Sequence, residues 1–353
     1  MNPQDIEFGL NSFGELAGDD TGRTMTGAET IRTLIREGEL AEAVGIDSFS
    51  IGEHYRHDMI DSANHVILSA IAARTERIRL GTSVTVLSTQ DPVRLYTEAA
   101  TLDAVSNGRA QLIVGRASAT ESFPLFGYDL ADYETLFEEK LDLLSRLLRD
   151  QPVTWSGTVR SPLTDQIVSP AIEPGHIPTW VGVGGSPQSV IRAARYGMPL
   201  MLAIIGGHPT RFAPLVELYH RSLEQFGHPR LPVGEHSLGF LADTDEEARE
   251  SYWPHYLHVL NTIGKERGFR APTYAHFVAE TQGGAMFLGS PDTVAPRIAD
   301  TIRALGLSRF DLKYDMMHMP ISARSHSIEL YGREVIPRVR ELLAKTPEEA
   351  ANV

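Results

Sequence analysis

The sequence predicts an α/β protein: a closed (β/α)8 barrel of the TIM type with inserted loops. Two observations carry this. Short apolar, β-rich runs alternate with longer helical stretches along most of the chain, the pattern of βαβ units feeding a parallel sheet. Eight such runs can be drawn, the number a closed barrel requires. An open doubly wound sheet shares the alternation, and strand count alone does not separate the two. The 353 residues suit one barrel spanning 1–353 as a single domain.

The expected strands are Ile6–Asn11, Ser48–Ile51, Ile78–Val84, Ala110–Val114, Thr179–Val183, Leu200–Ile204, Ser237–Ala242 and Phe310–Tyr314. Between most of them lie helical patterns: Ala28–Val44, Ser62–Thr75, Pro92–Val105, Tyr133–Arg149, Ser189–Tyr196, Thr210–Phe226, Asp245–Ile263 and Asp292–Leu305. Pro254 is expected to kink or split the seventh helix, because it lacks the backbone N–H and crowds the preceding turn. Two stretches break the alternation. Residues 150–177 are rich in Pro, Ser and Thr, with Val153–Val159 reading as a hairpin; residues 264–289 are loop-rich. Long excursions of this kind serve as lids or binding loops, or are plain decoration. The tail, 345–353, is expected to fray.

Composition narrows the function. Hydrophobic residues make up 42% and charged residues 22%, with a net charge of -14. This is a globular composition, and its acidity disfavours nucleic-acid phosphate and anionic membranes as partners. The absence of cysteine excludes disulfides, thiolate metal sites and cysteine nucleophiles. The N-terminus has neither the basic region nor the apolar stretch of a signal peptide. The longest apolar run, Leu200–Ile205, is too short to span a bilayer. A cytoplasmic protein is the expectation.

The chemistry concentrates where apolar runs end. Four of them deliver a Gly with polar groups at their carboxyl ends: Gly52-Glu53-His54-Tyr55-Arg56, Gly81-Thr82-Ser83, Gly115-Arg116-Ala117-Ser118 and Gly182-Val183-Gly184-Gly185-Ser186. That is the face on which α/β proteins build active sites. His54 is the best general acid–base candidate, since imidazole titrates near neutrality, and Glu53 is placed to orient it. Arg116 needs a partner at the end of a core strand; Glu53 as an ion pair and a ligand phosphate in fork geometry are both open. In the Gly184-Gly185-Ser186-Pro187-Gln188-Ser189 turn, Ser186 is a good N-cap and Pro187 fits the first helical position. The plain reading is a capped helix start. The functional one is an anion cradle of glycine amides at a helix N-terminus, after the fifth strand rather than the seventh or eighth.

Other chemistries find little support. The 13 histidines form no His-Glu-x-x-His, and His54 with His57 or Asp315 with His318 is a weak metal case, so no metal is expected. Neither a nucleophile elbow, a P-loop nor a strand-linked Gly-x-Gly-x-x-Gly is present. Phe8, Phe13, Tyr55, Trp180, Met316, Met317 and His318 could line an apolar pocket or belong to the core.

In order, the motifs Gly52-Glu53-His54-Tyr55-Arg56, Arg77-Ile78-Arg79-Leu80-Gly81-Thr82-Ser83-Val84, Asp91-Pro92-Val93-Arg94, Leu102–Arg109, Gly115-Arg116, Phe126-Gly127, the Gly-Gly-Ser-Pro turn and Gly289–Val294 resemble the bacterial luciferase-like, flavin-dependent monooxygenase family. Each piece is weak alone; the ordered set covers nearly the whole chain. The resemblance implies a barrel, usually dimeric, that binds reduced FMN supplied by a separate flavin reductase or, in one branch, the deazaflavin F420. It implies that His54 sits near the isoalloxazine, that Thr82, Ser83 and Val84 line the ring with a strained or cis peptide, and that Arg116, Gly184, Gly185, Ser186 and Ser189 hold the phosphate, with Ser118 at the same strand end.

One departure stands out. The family pattern often carries a second Arg after Phe126-Gly127, where this chain has Tyr133-Glu134-Thr135-Leu136. The phosphate would lean on Tyr133 or hydroxyls instead. The leading expectation is an FMN-dependent monooxygenase oxidising a small organic substrate. An F420-dependent oxidoreductase and a flavin-binding protein without turnover are the alternatives.

Overall fold

The computed structural model describes residues 2–116, 120–149, 151–173, 175–266, 268 and 271–345. Among these, the strands in chain order are β1 (Glu7–Ser12), β2 (Ser48–Ile51), β3 (Arg79–Thr82), β4 (Thr85–Val86), β5 (Ala110–Gly115), β6 (Val153–Trp155), β7 (Leu163–Gln166), β8 (Thr179–Val183), β9 (Leu200–Ala203), β10 (Val233–Leu241), β11 (Phe287–Gly289) and β12 (Arg309–Lys313). Strands β1, β2, β3, β5, β8, β9, β10 and β12 pair in parallel, each with the next, and β12 returns to β1. Closure decides for the barrel over the open sheet. It removes the exposed edges that an open sheet must protect.

Local signals start the helices where the chain needs them. Thr26 and Glu29 form a capping box at the helix Gly27–Ala43, and Asp91 accepts from Val93 and Arg94 ahead of Pro92. Asn107 and Gly108, with φ of 57° and 81°, turn the end of helix Pro92–Ser106 into β5. Both residue types tolerate that left-handed geometry. One face of each strand packs on the helical layer in a large apolar cluster that includes Phe8, Leu10, Phe49, Leu80, Leu112, Val181, Phe310 and Leu312.

Several sequence expectations are refined. Of the run Ile78–Val84, only Arg79–Thr82 is strand (β3); a cis peptide bond at Ser83–Val84 follows, and β4 begins beyond the run. The hairpin pairs Val153–Trp155 with Leu163–Gln166, so its second strand begins beyond Val159. Helix Asp245–Val259 runs through Pro254, and its irregularity falls later, in the π-helical turn Leu260–Gly264. The stretch 264–289 is less loop-like than its glycines suggest, because it holds helix Tyr274–Gly283 and β11. Of the expected frayed tail, 346–353 lies outside the described residues.

The barrel interior is polar at its amino-terminal end. Arg309 forks onto both oxygens of Asp311 at 2.8 and 2.7 Å, reaches Gln111 at 2.7 Å and pairs with Glu7 at 3.2 Å. A Cβ at Gly9 would collide with the Asp311 carboxylate and the Ser48 hydroxyl; glycine is what lets the carboxylate into the barrel.

Candidate active site

The carboxyl ends of the strands open into a cavity of about 560 Å³, within the range of small-molecule sites. Glu53, His54 and Tyr55 reach it from β2, Ser83 and Val84 from the β3–β4 junction, Arg116 from β5 and Gly184 from β8. These termini come together because a parallel barrel points all its strand ends one way. Apolar lining comes from Phe13, Met59, Leu238, Val259, Ile263 and Met316. The turn Leu260–Gly264 forms part of the rim.

His54 is oriented by Asp61, not by Glu53. Its Nδ1 lies 2.8 Å from Asp61 Oδ2, and its backbone N–H donates to Asp61 Oδ1 at 3.1 Å. Burial works against the charged imidazole, but the Asp61 carboxylate outweighs it and holds His54 above the usual histidine range. With Nδ1 engaged, Nε2 is the nitrogen able to exchange a proton with a molecule in the cavity. Glu53 instead accepts from Val86 N–H at 2.7 Å and from the Tyr55 hydroxyl, and burial raises its pKa. It ties the end of β2 to β4 at the cavity wall. Asp61 lies seven residues beyond His54 in a loop, with no sequence spacing to single it out.

Arg116 takes neither of its simplest expected roles alone. It does not reach Glu53; its guanidinium pairs with Glu134 and donates to Ser189 Oγ at 2.9 Å. It also lies over the Tyr133 ring, 5.3 Å from the centroid. Ser189 belongs to helix Pro187–Arg195, where Ser186 is the N-cap and accepts from Ser189 N–H at 3.4 Å. Gly184 faces open space, and Gly185 holds φ of 119°. Arg192, which sequence reading missed, bonds Glu134 at 2.9 Å and Glu138 at 2.6 Å.

This arrangement fits the phosphate of a flavin. Open backbone at Gly184 and the Arg116 guanidinium line the cavity, and Arg116 bonds Ser189 in the first turn of the adjoining helix. Glu134, 61% exposed, sits between two guanidiniums as a bound anion would, so a phosphate would take its place rather than join it. Thr82 is fully buried and bonds the Ile113 carbonyl at 3.2 Å, below the cavity lining. Ser118 lies outside the described residues. Of the aromatic and methionine candidates, Phe13, Tyr55 and Met316 line the cavity. Phe8 packs outward against the helices, and Trp180 sits deeper in the barrel with Ile113 and Met201. No group of three metal-ligating side chains occurs among the described residues.

The model of the luciferase-like monooxygenase family matches residues 6–309. The chain belongs to that family. Family membership supports an oxidoreductase. The chain is 28% identical over 338 residues to an F420-dependent glucose-6-phosphate dehydrogenase of Microbacterium testaceum, covering 88% of this chain and 94% of the relative. Among solved structures it resembles the monooxygenase RslO1 of Streptomyces bottropensis, with a TM-score of 0.80 at 23% identity over 94% of this chain and 99% of that one. It also resembles the oxygenating constituent of 3,6-diketocamphane monooxygenase from Pseudomonas putida in complex with FMN, with a TM-score of 0.75 at 19% identity over 95% and 99% of the two chains. At these identities the solved structures speak for the fold. No helix among the described residues is long and apolar enough to cross a membrane.

Proposed function

We propose that this protein is a flavin-dependent monooxygenase that takes FMN reduced by a separate flavin reductase, works as a homodimer, and oxidises a small, largely apolar substrate. One observation carries the reading: His54, held by Asp61, and Arg116 with Gly184 line a single cavity, Arg116 being bonded to Ser189 behind it. A proton-handling group and an anion-binding group on one cavity suit a ligand that carries both a phosphate and a redox ring.

Reduced flavin, when bound, supplies the electrons and activates oxygen. The protein's own residues do the rest. Arg116 and the Gly184–Ser189 turn bind and orient the phosphate. The cis segment Ser83–Val84 and the apolar walls shape the ring site and exclude water. His54, kept basic by Asp61, holds or delivers a proton at Nε2.

The test is anaerobic titration of the protein with reduced FMN, followed by oxygen, with substrate turnover and hydrogen peroxide release measured. Tight FMN binding and oxidation of an added organic substrate are expected. Binding of F420 with no affinity for FMN would overturn the cofactor assignment. Tight FMN binding with quantitative peroxide release, whatever the substrate, would favour a protein that binds flavin without productive turnover. The F420 reading is the second choice, favoured by the full-length likeness to the Microbacterium testaceum dehydrogenase.

A further inference from the structure

His236, on β10, is buried at 4% exposure, yet it lines the cavity. Its Nδ1 contacts the Asn11 side-chain amide, and its Nε2 finds no partner among the described residues. The tautomer follows from Asn11. The Asn11 amide nitrogen faces His236 Nδ1, and an amide nitrogen can only donate. Nδ1 of His236 therefore accepts, and the ring carries its proton on Nε2.

The ring is held neutral. Burial, then the Lys313 and Arg309 cations, push His236 down to about 3 against the opposing Asp315 carboxylate. Lys313 itself is not available to a ligand: its ammonium is engaged by Glu15, by the Asp315 carbonyl at 2.6 Å and by an Asp315 carboxylate oxygen at 3.3 Å. Phe13 stacks on His236 at 5.4 Å between centroids and meets His54 at 5.2 Å, so both imidazoles border the same phenyl ring. A buried donor left unpaired costs stability unless something accepts from it. The cavity lining it shares includes Met201, Leu238 and Met316, beside the mutually paired Lys313 and Glu15.

We infer that His236 Nε2 is a substrate-recognition donor, and that the substrate is an apolar molecule bearing a neutral oxygen acceptor of the carbonyl type. This rests on the cavity being the substrate site of the proposed enzyme. The donor fixes the end of the substrate that enters the cavity floor, leaving the remainder near His54.

The experiment compares two probes of equal shape, 2-acetylnaphthalene and 2-isopropenylnaphthalene, which differ in a carbonyl oxygen against a methylene. Binding is measured by calorimetry to the bare and the FMN-loaded protein, with FMN affinity measured separately by fluorescence quenching. The ketone is expected to bind about tenfold tighter than the alkene. Its infrared carbonyl band should move to lower frequency on binding. In His236→Leu the preference should fall to about one through loss of ketone affinity, with the band shift abolished; His236→Gln, which keeps a side-chain N–H, should restore part of both. Equal binding of the two probes to the wild-type protein, absence of ketone binding, or a preference untouched in His236→Leu would overturn the assignment. The infrared shift in wild-type protein decides the matter even if His236→Leu does not fold. Ketone preference without FMN binding would leave the subsite standing and sink the flavin reading; FMN binding without ketone preference would do the reverse.

Discussion

Two polar layers occupy the same barrel, and they differ in how completely they are satisfied. At the amino-terminal end, Arg309 is bonded to Asp311, Gln111 and Glu7, and no polar atom of Arg309 or Asp311 lacks a partner. Towards the cavity, His54 has one nitrogen committed to Asp61, and His236, in register with Asp311, has a buried nitrogen with no partner among the described residues. Both layers are buried and charged. The lower one is closed around the Arg309–Asp311 pair and so is structural; the upper one retains hydrogen-bonding capacity on residues that line a cavity and so is chemical. Burial and charge alone do not mark a functional site; unspent capacity facing a cavity does.

The largest effect should come from breaking the closed layer. Asp311→Ala leaves the fully buried Arg309 without its forked partner and should cost about 3–5 kcal/mol of stability, read as a lowered urea midpoint. A wild-type midpoint would mean that the lower network is not structural.

In the open layer the damage should fall on chemistry instead. Asp61→Asn should cut substrate oxidation on the order of 10²-fold and bring the His54 pKa down, followed by NMR titration. The sign is set by the raised pKa of His54: the stabilisation from this pair is fully present below the unfolded histidine value of about 6.5 and is lost as pH rises through the folded value. That dependence should flatten in Asp61→Asn. An unchanged His54 titration would show that Asp61 does not govern it.

The anion cradle sharpens the comparison further. Arg116→Ala should weaken FMN binding on the order of tenfold while leaving riboflavin affinity nearly unchanged; equal losses for both ligands would remove Arg116 from the phosphate site. The smallest effect expected is in Glu134→Gln. Removing a carboxylate that occupies the same cations as a phosphate should tighten FMN binding roughly two- to fivefold, less at high salt. Weaker FMN binding in that variant would mean that Glu134 supports the cradle rather than competing with it.

Much of the cavity can be anticipated from short-range features. His54, Arg116 and Gly184 each follow a strand, and in a parallel barrel every such position points to one face. The Ser186–Pro187 helix start is equally local. What escaped sequence reading is pairwise. Asp61 replaces Glu53 as the partner of His54, and Glu134 replaces Glu53 as the partner of Arg116. Arg192 arrives from a helix beyond the glycine turn. Neighbours in sequence are poor guides to partners where loops fold back, because contact depends on where the chain returns in space.

The sequence by itself determined the alternation of strands and helices, the helix caps, and the clustering of titratable groups at strand ends, since these depend on residue propensity and spacing over a few positions. The tertiary structure decided that the sheet closes, which carboxylate serves which cation, and that His236 keeps one buried ring nitrogen without a partner among the described residues. Those outcomes depend on residues tens to hundreds of positions apart, such as Asn11 and His236, which only barrel closure brings into contact.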